Sequence, residues 1–434
     1  PFNSEDVESI SVLKDAASAA IYGAHVGSGG VIVVTTKKAK SGKTQISANI
    51  TMGVANAANL PEMTNAAEYS KIMKAAGNTG GHIDPERYLY AHTTRTDWID
   101  EVFRTGRYKR AAASITGGSE KTRSLASISY EERDGILLNT YNKNLGAKVN
   151  VEYDINKYIT FSERVSYNFS NGQGDLNTYA HTGVIAQAMQ MPASASVYEY
   201  TQDGKPVYGA DGNHAYGGTT PQWAVAYAGN FGEVQNPVAT LERLTQNRPA
   251  HQLMSTSTLI INPIRSLTIK SDFSAGVNAG RFEEFTKKAP EIGNPRNENL
   301  KEVSSSLSNT WLWETIATYS TEINNRHLIS LMGGYTMGYD NFSSNMTTVY
   351  DFSREADWAQ MFVNGNDWSR TKPSEVFWEE SKISSFGRTS YSYDDRYFFT
   401  GSLRYDATSR LLKKNRSQIF PAASAAWKLS SEPF

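Results

Sequence analysis

The chain has 434 residues, a formal net charge of -1 and no cysteine. This length accommodates two or three ordinary domains or one very large one. The balanced charge, without a basic block, argues against nucleic-acid binding, and the lack of cysteine excludes disulfide scaffolds, thiol nucleophiles and Cys-ligated zinc. No stretch approaches the ~20 apolar residues of a membrane-spanning helix, but barrel strands of ~9–11 residues need only alternate apolar side chains.

The opening segment differs in pattern from the rest of the chain. Residues 6–15 predict a strand, residues 16–22 an Ala-rich helical turn, and residues 27–30 a tight glycine corner before a second strand at 31–37. The glycine corner is not a phosphate-binding loop, because a β-branched run follows it where such a loop would open a helix.

Beyond this segment, short stretches rich in Thr, Ser, Tyr, Val and Ile alternate with a period of two, which is typical of strands. In residues 159–169 the alternation has one exception, since Glu163 falls on the apolar side. About twelve strands are predicted. They lie near 44–54, 109–117, 121–131, 143–153, 158–170, 251–261, 266–278, 308–320, 325–338, 383–394, 397–407 and 417–429.

The connections alternate between short and long. Tight turns are predicted near 118–120, 154–157, 262–265, 321–324 and 394–396. Long connections are predicted at 55–108, 132–142, 171–250, 279–307, 339–382 and 408–416. Short turns on one side and long loops on the other are typical of an outer-membrane barrel. A sandwich or propeller has no reason to place every long connection on the same side. Within the first long connection, residues 65–76 predict a helix with Thr64 or Asn65 as its N-cap.

Several of these segments resemble one family. Residues 7–23 and 30–38 look like the C-terminal part of the plug domain in SusC/RagA-like TonB-dependent transporters. The resemblance continues through residues 97–105, 115–123, 386–388, 391–397 and 420–430. Segments 171–250 and 339–382 resemble nothing in particular. The glycine corner departs from the family pattern, because it is longer and has His25 where a basic residue is typical.

The resemblance implies an all-β fold: a transmembrane antiparallel β-barrel, present in part as about 12 of about 22 strands, after the C-terminal part of an α+β plug. Residues 1–40 would be the plug part, and residues 41–434 the first half of the barrel with long extracellular loops. The signal sequence, TonB box, early plug and later strands are expected outside this sequence. Pro433 argues that the terminal Phe434 does not end a closing strand. Because a partial barrel has open edges, this piece alone is not expected to insert into a membrane.

The resemblance also implies a function, which is TonB-dependent active import of a large nutrient, an oligosaccharide or a peptide, across the outer membrane of a Gram-negative Bacteroidota cell. The plug would block the barrel until the TonB-ExbB-ExbD complex, driven by the proton-motive force, pulls on it. The implied partners are a SusD-like surface lipoprotein, outer-membrane lipid and the nutrient itself, with no nucleic acid. The plug-motif residues with a structural or gating role would be Glu8, Lys14, Asp15, Tyr22, Gly23, Gly29, Gly30, Thr35 and Lys37.

Aromatic residues in the long segments are the candidate substrate contacts, because an aromatic face stacks on a sugar ring or an apolar side chain. They are Trp223, Tyr216, Trp358, Trp368 and Trp378. The alternative role for each is packing of the loops or a place in the interfacial girdle.

No catalytic, cofactor or metal site is predicted. Asp203-Gly204 and Asp211-Gly212-Asn213 fit turns better than a calcium loop, because the 12-residue pattern ending in Glu is absent. Glu283-Glu284 and Glu379-Glu380 are neighbours that point apart in a strand. Two alternatives stay open: a surface carbohydrate-binding or adhesive β protein, and a secreted β-fold glycosidase. The glycosidase would have two carboxylates converging at about 5–10 Å, and we expect neither such a pair nor an enzyme.

Overall fold

The structure is a computed structural model. It describes residues 7–14, 30–37, 41–77, 95–174, 183–201, 203–209, 212–218, 234–291, 295–371 and 373–432. These ranges form two antiparallel sheets with a few short helices in the connections. None of the helices in the described ranges is long and apolar enough to cross a membrane.

The first sheet is a two-stranded ribbon. Strand β1 (Val7–Leu13) pairs antiparallel with β2 (Val31–Thr36), which confirms both strands predicted in the opening segment. Gly30 precedes β2 with a φ of 78°, and a Cβ on it would lie 2.6 Å from the Leu13 carbonyl oxygen. Only glycine fits that position without strain.

Five of the nine plug-motif residues lie on this ribbon or beside it, namely Glu8, Lys14, Gly30, Thr35 and Lys37. The other four, Asp15, Tyr22, Gly23 and Gly29, lie outside the described residues, as does the predicted helical turn at 16–22.

The second sheet has fourteen strands. Their bounds are β3 Gly42–Ala55, β4 Gly106–Gly118, β5 Thr122–Asp134, β6 Tyr141–Asn156, β7 Ile159–Gln173, β8 Gln246–Asn247, β9 Ala250–Ile264, β10 Leu267–Thr286, β11 Leu300–Ile323, β12 His327–Phe352, β13 Gly365–Asp367, β14 Ser374–Tyr393, β15 Tyr397–Thr408 and β16 Ser417–Trp427. The short β8 pairs with β10 and the short β13 with β12, while the other twelve follow one another in chain order. These twelve confirm the twelve predicted strands.

Several strands are longer than predicted. Segments 279–286, 300–307, 339–352 and 374–382 were expected in loops, but they extend β10, β11, β12 and β14 without a break in the ladder. The expectation was wrong because these extensions are rich in Ser, Asn and Glu. Their side chains do not alternate between apolar and polar, and pairing with a long neighbour holds them in the sheet.

The short connections lie at one edge of the sheet. The β11–β12 turn has Asn324 and Asn325 at φ values of 54° and 53°, and the β14–β15 turn has Asp394 and Asp395 at 52° and 51°. Two successive residues with positive φ make the tight turn that joins twisted antiparallel strands. The predicted short turns are confirmed.

The sheet has one apolar and one polar face. Partners in the ladder share a face, and one row runs Ile46, Ile115, Ala126, Val149 and Val165 across β3 to β7. The neighbouring row on the other face consists of Gln45, Thr116, Leu125, Asn150 and Arg164. The side-chain period of two therefore sorts the whole sheet into two environments.

The apolar face has the height of a membrane. On β10 it runs from Ile269 to Ala279, before Arg281 and Glu283. Ten steps of ~3.3 Å at a tilt of ~40–45° span about 25 Å, the height of the apolar band of outer-membrane barrels. Glu163 lies inside this band, where its two carboxylate oxygens accept hydrogen bonds from Ser255 (2.6 Å) and Ser257 (2.5 Å).

The long connections contain four short α-helices among the described residues: α1 (Ala66–Ala75), α2 (Trp98–Val102), α3 (Val184–Gln190) and α4 (Pro237–Glu242). Helix α1 is the one predicted, and Asn65 is its N-cap. The Asn65 side chain accepts from the Ala67 and Glu68 amides, and the Glu68 carboxylate accepts from the Asn65 amide. This reciprocal capping satisfies donors at the helix start.

The two faces of β5 should respond differently to charge. Ile128 lies on the apolar face opposite Ala113 and Ala147, and Ser129 lies on the polar face. In the full-length protein folded into lipid vesicles, Ile128→Arg should lower the free energy of unfolding by about 2–4 kcal/mol, which is the expected effect of a charged side chain on a sheet face that meets hydrocarbon. Ser129→Arg is the matched control and should have little effect. Equal losses in a urea titration would contradict this assignment of faces.

Candidate functional site

The polar face of the sheet carries a network of ion pairs near its long-loop end. Lys382 on β14 places Nζ 2.9 Å from the Asp340 carboxylate and 3.4 Å from that of Glu380. Thr310 donates to Asp340 (2.5 Å) and Thr408 donates to Glu380 (2.6 Å). Four strands, β11, β12, β14 and β15, thus share one polar network, which holds these side chains in place on the polar face.

This network corrects one expectation, because two carboxylates do converge there. Asp340 and Glu380 are direct ladder partners and bind the same ammonium group. Each also accepts a hydroxyl hydrogen bond, from Thr310 and Thr408 respectively. The neighbours in sequence do point apart as expected, since Glu379 lies on the other face and accepts from the Tyr339 hydroxyl.

Trp378 adds an aromatic surface to the same polar face of the sheet. Its ring stacks on Phe342, its ladder partner, with the centroids 5.9 Å apart, and the Arg410 guanidinium lies 5.1 Å above it. The side chain is half-buried on the polar face, beside the ion-pair network. Of Tyr216, Trp368 and Trp378, the candidate substrate contacts whose side chains the structure describes, Trp378 is the one that lies on a strand of the large sheet.

Above the sheet, three loop helices pack together. Helices α2, α3 and α4 contribute to a loop cluster of buried residues: Trp98, Ile99, Val102, Val184, Ala188, Met191, Ala195, Val197, Val234, Val238 and Leu241. The Trp98 indole donates to the Pro192 carbonyl (3.0 Å). Asn139, in the β5–β6 connection, donates to the carbonyls of Leu241 and Leu244 (3.0 Å each). Parts of three long connections, from β3 to β4, from β5 to β6 and from β7 to β8, therefore pack together, and we name them the loop layer.

Tyr216 lies at the margin of the loop cluster. Its hydroxyl donates to the Glu242 carboxylate, its ring stacks on Tyr198 at 5.6 Å, and the Arg243 guanidinium lies 4.7 Å from the ring centre. Burial, followed by the hydrogen bond to Glu242, raises the pKa of Tyr216 far above its usual range. The hydroxyl therefore stays protonated and its ring is held in place.

Arg243 joins two long connections through a buried ion pair. Its guanidinium donates two hydrogen bonds, of 2.6 and 2.5 Å, to the two carboxylate oxygens of Glu291. The Glu291 side chain is 3% exposed and that of Arg243 is 20% exposed. Both line a cavity of about 380 Å³ with Asn236, Gln246 and Glu284. Such a two-pronged pair fixes geometry as well as charge.

The remaining candidate contacts lie elsewhere. Trp368 follows β13, is 49% exposed, and donates from its indole to the Gly365 carbonyl (3.0 Å). Trp358 belongs to a 3-10 helix, Asp357–Ala359, and its side chain lies outside the description. Trp223 lies outside the described residues. The structure brings no two of Tyr216, Trp368 and Trp378 into ring contact.

The predicted turn at Asp203-Gly204 is present, with Gly204 at a φ of 78°. The Asp203 carboxylate accepts from the Thr201 hydroxyl (2.5 Å) and pairs with Lys205 (2.7 Å). Asp211 lies outside the described residues, and Gly212 has a φ of 79°. Within the ranges that the structure describes, no three His, Asp or Glu side chains are grouped so as to hold a metal ion.

Sequence reasoning missed Lys382 and the Arg243–Glu291 pair. The alternation in β14 indicates that Glu380 and Lys382 share a face, but their partner Asp340 lies in a segment without alternation. No local signal connects Arg243 with Glu291.

Comparison with known proteins gives a consistent result. No family model matches the chain. TonB-dependent receptor P3 of Formosa agariphila is 27% identical over 444 residues, which cover 99% of this chain and 40% of that protein. TonB-dependent receptor SusC of Bacteroides thetaiotaomicron is 26% identical over 446 residues, 100% of this chain and 41% of that one. The solved RagAB peptide transporter superposes with a TM-score of 0.78 at 20% identity over 98% of this chain and 49% of that one.

The predicted resemblance to SusC/RagA-like TonB-dependent transporters is confirmed. The chain spans about two fifths of the length of these curated relatives. The likeness also confirms the antiparallel barrel fold, present in part, and the location in the cell outer membrane. In outer-membrane barrels in general, the apolar face of the sheet meets lipid and the other face lines the lumen.

Arg243→Met should loosen the loop layer, because it leaves the buried Glu291 carboxylate without a partner. Removing one member of a buried ion pair costs about 3–5 kcal/mol. Hydrogen exchange in the full-length protein should show faster exchange at residues 234–245 and 287–291. Arg370→Met is the matched control, since the pair of Arg370 with Glu298 is exposed, at 48% and 40%. Equal protection in both variants would show that the buried pair does not hold the layer.

Proposed function

We propose that the protein of which this chain is a part carries out TonB-dependent active import of a large nutrient, an oligosaccharide or a peptide, across the outer membrane. The observation that carries the proposal is the two-faced sheet, which has an apolar face about as high as a membrane and a polar, ion-paired face on the other side. A wall of this kind separates lipid from a wet passage. The matched relatives are named receptors, which supports a transporter and not an enzyme.

We further propose that residues 1–40 are the end of the plug and residues 41–434 the first half of the barrel. Two observations support the division. The ribbon of β1 and β2 is a sheet of its own, and β3 begins the large sheet at Gly42. In the described residues, β3 and β16 each pair along one side only. In a membrane, both free edges require partners from further strands of the barrel.

The cargo would pass along the lumen wall and below the loop layer. Trp378 is the candidate contact that the geometry supports best, since Phe342 and Arg410 hold its ring beside the ion-pair network. Tyr216 would act by ordering the layer, because Glu242 and Arg243 engage its hydroxyl and ring. Trp368, Trp358 and Trp223 stay candidate contacts in the loops.

The proposed partners are those of the family: the TonB-ExbB-ExbD complex acting through the plug, outer-membrane lipid around the apolar face, and a SusD-like lipoprotein over the long loops. The RagAB structure, described as a peptide transporter, supports a peptide as one class of cargo. The SusC relative supports a partner of the SusD type.

The experiment that tests the function is growth of the parent bacterium, with and without the intact gene, on glycans and peptides as sole nutrients. We expect loss of growth on one class, restored by the full-length gene but not by a gene lacking residues 1–38. A surface immunoblot controls for assembly of the shortened protein, and a protonophore should stop uptake by the wild type. Normal growth on every nutrient without the gene would contradict import and favour an adhesive protein.

Trp378→Ala should raise the nutrient concentration that gives half-maximal growth by about 2- to 10-fold, because one aromatic contact of the cargo is lost. Phe377→Ala is the matched control, since Phe377 is the adjacent aromatic residue and lies on the lipid-facing side. Trp378→Phe should retain most of the uptake. An equal effect of Trp378→Ala and Phe377→Ala would exclude a specific lumen contact.

A further inference from the structure

A ribbon in the longest connection has an internal repeat of eight residues. Tyr200 and Tyr208 each begin a unit with Asp-Gly at its fourth and fifth positions, and Tyr216 begins a third. We name residues 197–217 the three-lobed ribbon. Its described residues are 197–201, 203–209 and 212–217.

Three backbone hydrogen bonds close the centre of the three-lobed ribbon. The Glu199 amide donates to the Ala215 carbonyl (2.7 Å), the Ala215 amide to Val207 (2.8 Å) and the Val207 amide to Glu199 (3.1 Å). These residues are eight apart, so each repeat contributes one donor and one acceptor to the ring. Gly204 and Gly212, with φ values of 78° and 79°, make the turns of two lobes. Backbone hydrogen bonds therefore hold the described parts of the ribbon together.

Four tyrosine rings gather on this ribbon with the ring of His214. Tyr198 stacks on His214 at 4.7 Å and 12°, Tyr200 meets it edge-on at 5.0 Å, and Tyr208 lies 5.8 Å away. Tyr198 also stacks on Tyr216. The His214 ring is fixed by a hydrogen bond of 2.9 Å between Nε2 and the Glu199 carbonyl.

The stack is anchored at one end and open at the other. Tyr216 is held by Glu242 and Arg243 of the loop layer. Tyr208, at the other end, is 65% exposed, whereas the other four side chains are half-buried. Contacts with neighbouring rings already restrict the rotamers of such an exposed ring. It therefore loses little conformational entropy when it binds a ligand.

We propose that Tyr208 is the stacking surface of a carbohydrate subsite, which takes one neutral pyranose unit of a glycan at the outer surface of the transporter. An aromatic ring offers a flat apolar face and a polar tip, and a pyranose offers the complement. The turn at residues 203–205, which precedes Tyr208 in sequence, carries polar groups suited to sugar hydroxyls: Asp203 and Lys205 are 60% and 77% exposed and pair with each other at 2.7 Å. Because the charges of Asp203 and Lys205 cancel, the turn fits an uncharged ligand.

The size of the exposed surface favours a sugar over a protein. A stable protein interface needs about 800 Å² from each partner. One tyrosine side chain buries on the order of 150–250 Å² at most, which is too little for such an interface and enough for contact with a single sugar unit. The inference deepens the proposed function by naming the class of cargo captured, and it rests on that function only for the import that follows capture.

The test measures binding by the purified full-length protein in detergent, without transport. Maltohexaose, cellohexaose, mannohexaose and galactotetraose are the probes, and saturation-transfer NMR reports both the Kd and the sugar protons in contact. For at least one probe, Tyr208→Ala should raise the Kd by about 2- to 10-fold. Tyr208→Phe should leave the Kd unchanged, because the stacking face is retained. Tyr158→Ala, an exposed tyrosine in the β6–β7 turn, is the matched control and should also have no effect.

Three results would overturn the subsite: no probe binds the wild type, Tyr208→Ala binds as well as the wild type, or Tyr158→Ala weakens binding equally. Growth separates this failure from failure of the proposed function. Growth that depends on residues 1–38, with binding indifferent to Tyr208, would refute the subsite alone. Binding that depends on Tyr208, with growth indifferent to the gene, would refute import alone.

Discussion

The constraint on which the structure depends is that backbone hydrogen-bonding groups inside a membrane cannot be left unpaired. The large sheet meets it by running twelve strands in chain order, in which each strand between β3 and β16 pairs with the strands before and after it. This arrangement places all short turns at one edge and all long connections at the other. The loop layer and the three-lobed ribbon therefore both lie at the long-loop edge.

At the long-loop edge water is present, and the long connections have no continuous backbone ladder. Side-chain contacts therefore order them. Two devices do this. The loop cluster buries apolar residues of α2, α3 and α4, and Arg243 binds Glu291 across two connections. Tyr216 links them, since it contacts Arg243 and stacks on Tyr198 of the three-lobed ribbon. The ordering thus extends from the sheet to the exposed Tyr208.

Inside the lipid-facing band, Glu163 shows how a charged group is tolerated. Its two oxygens accept hydrogen bonds from Ser255 and Ser257 on the neighbouring strand. Sequence alternation identified it as an exception on the apolar face, but not the pair of serines, which lie more than ninety residues further along. A polar side chain in hydrocarbon requires such local partners.

The sequence by itself determined the number and order of the long strands, the short turns and the assignment of faces, because a period of two and turn-forming residues are local signals. It also predicted the two strands of the opening ribbon and helix α1, with Thr64 or Asn65 as the cap, and the structure selects Asn65. Only the tertiary structure decided the extensions of β10, β11, β12 and β14, the Asp340–Lys382–Glu380 network and the Arg243–Glu291 pair. These depend on partners distant in sequence, and a continuous ladder holds residues whose own pattern predicts a loop.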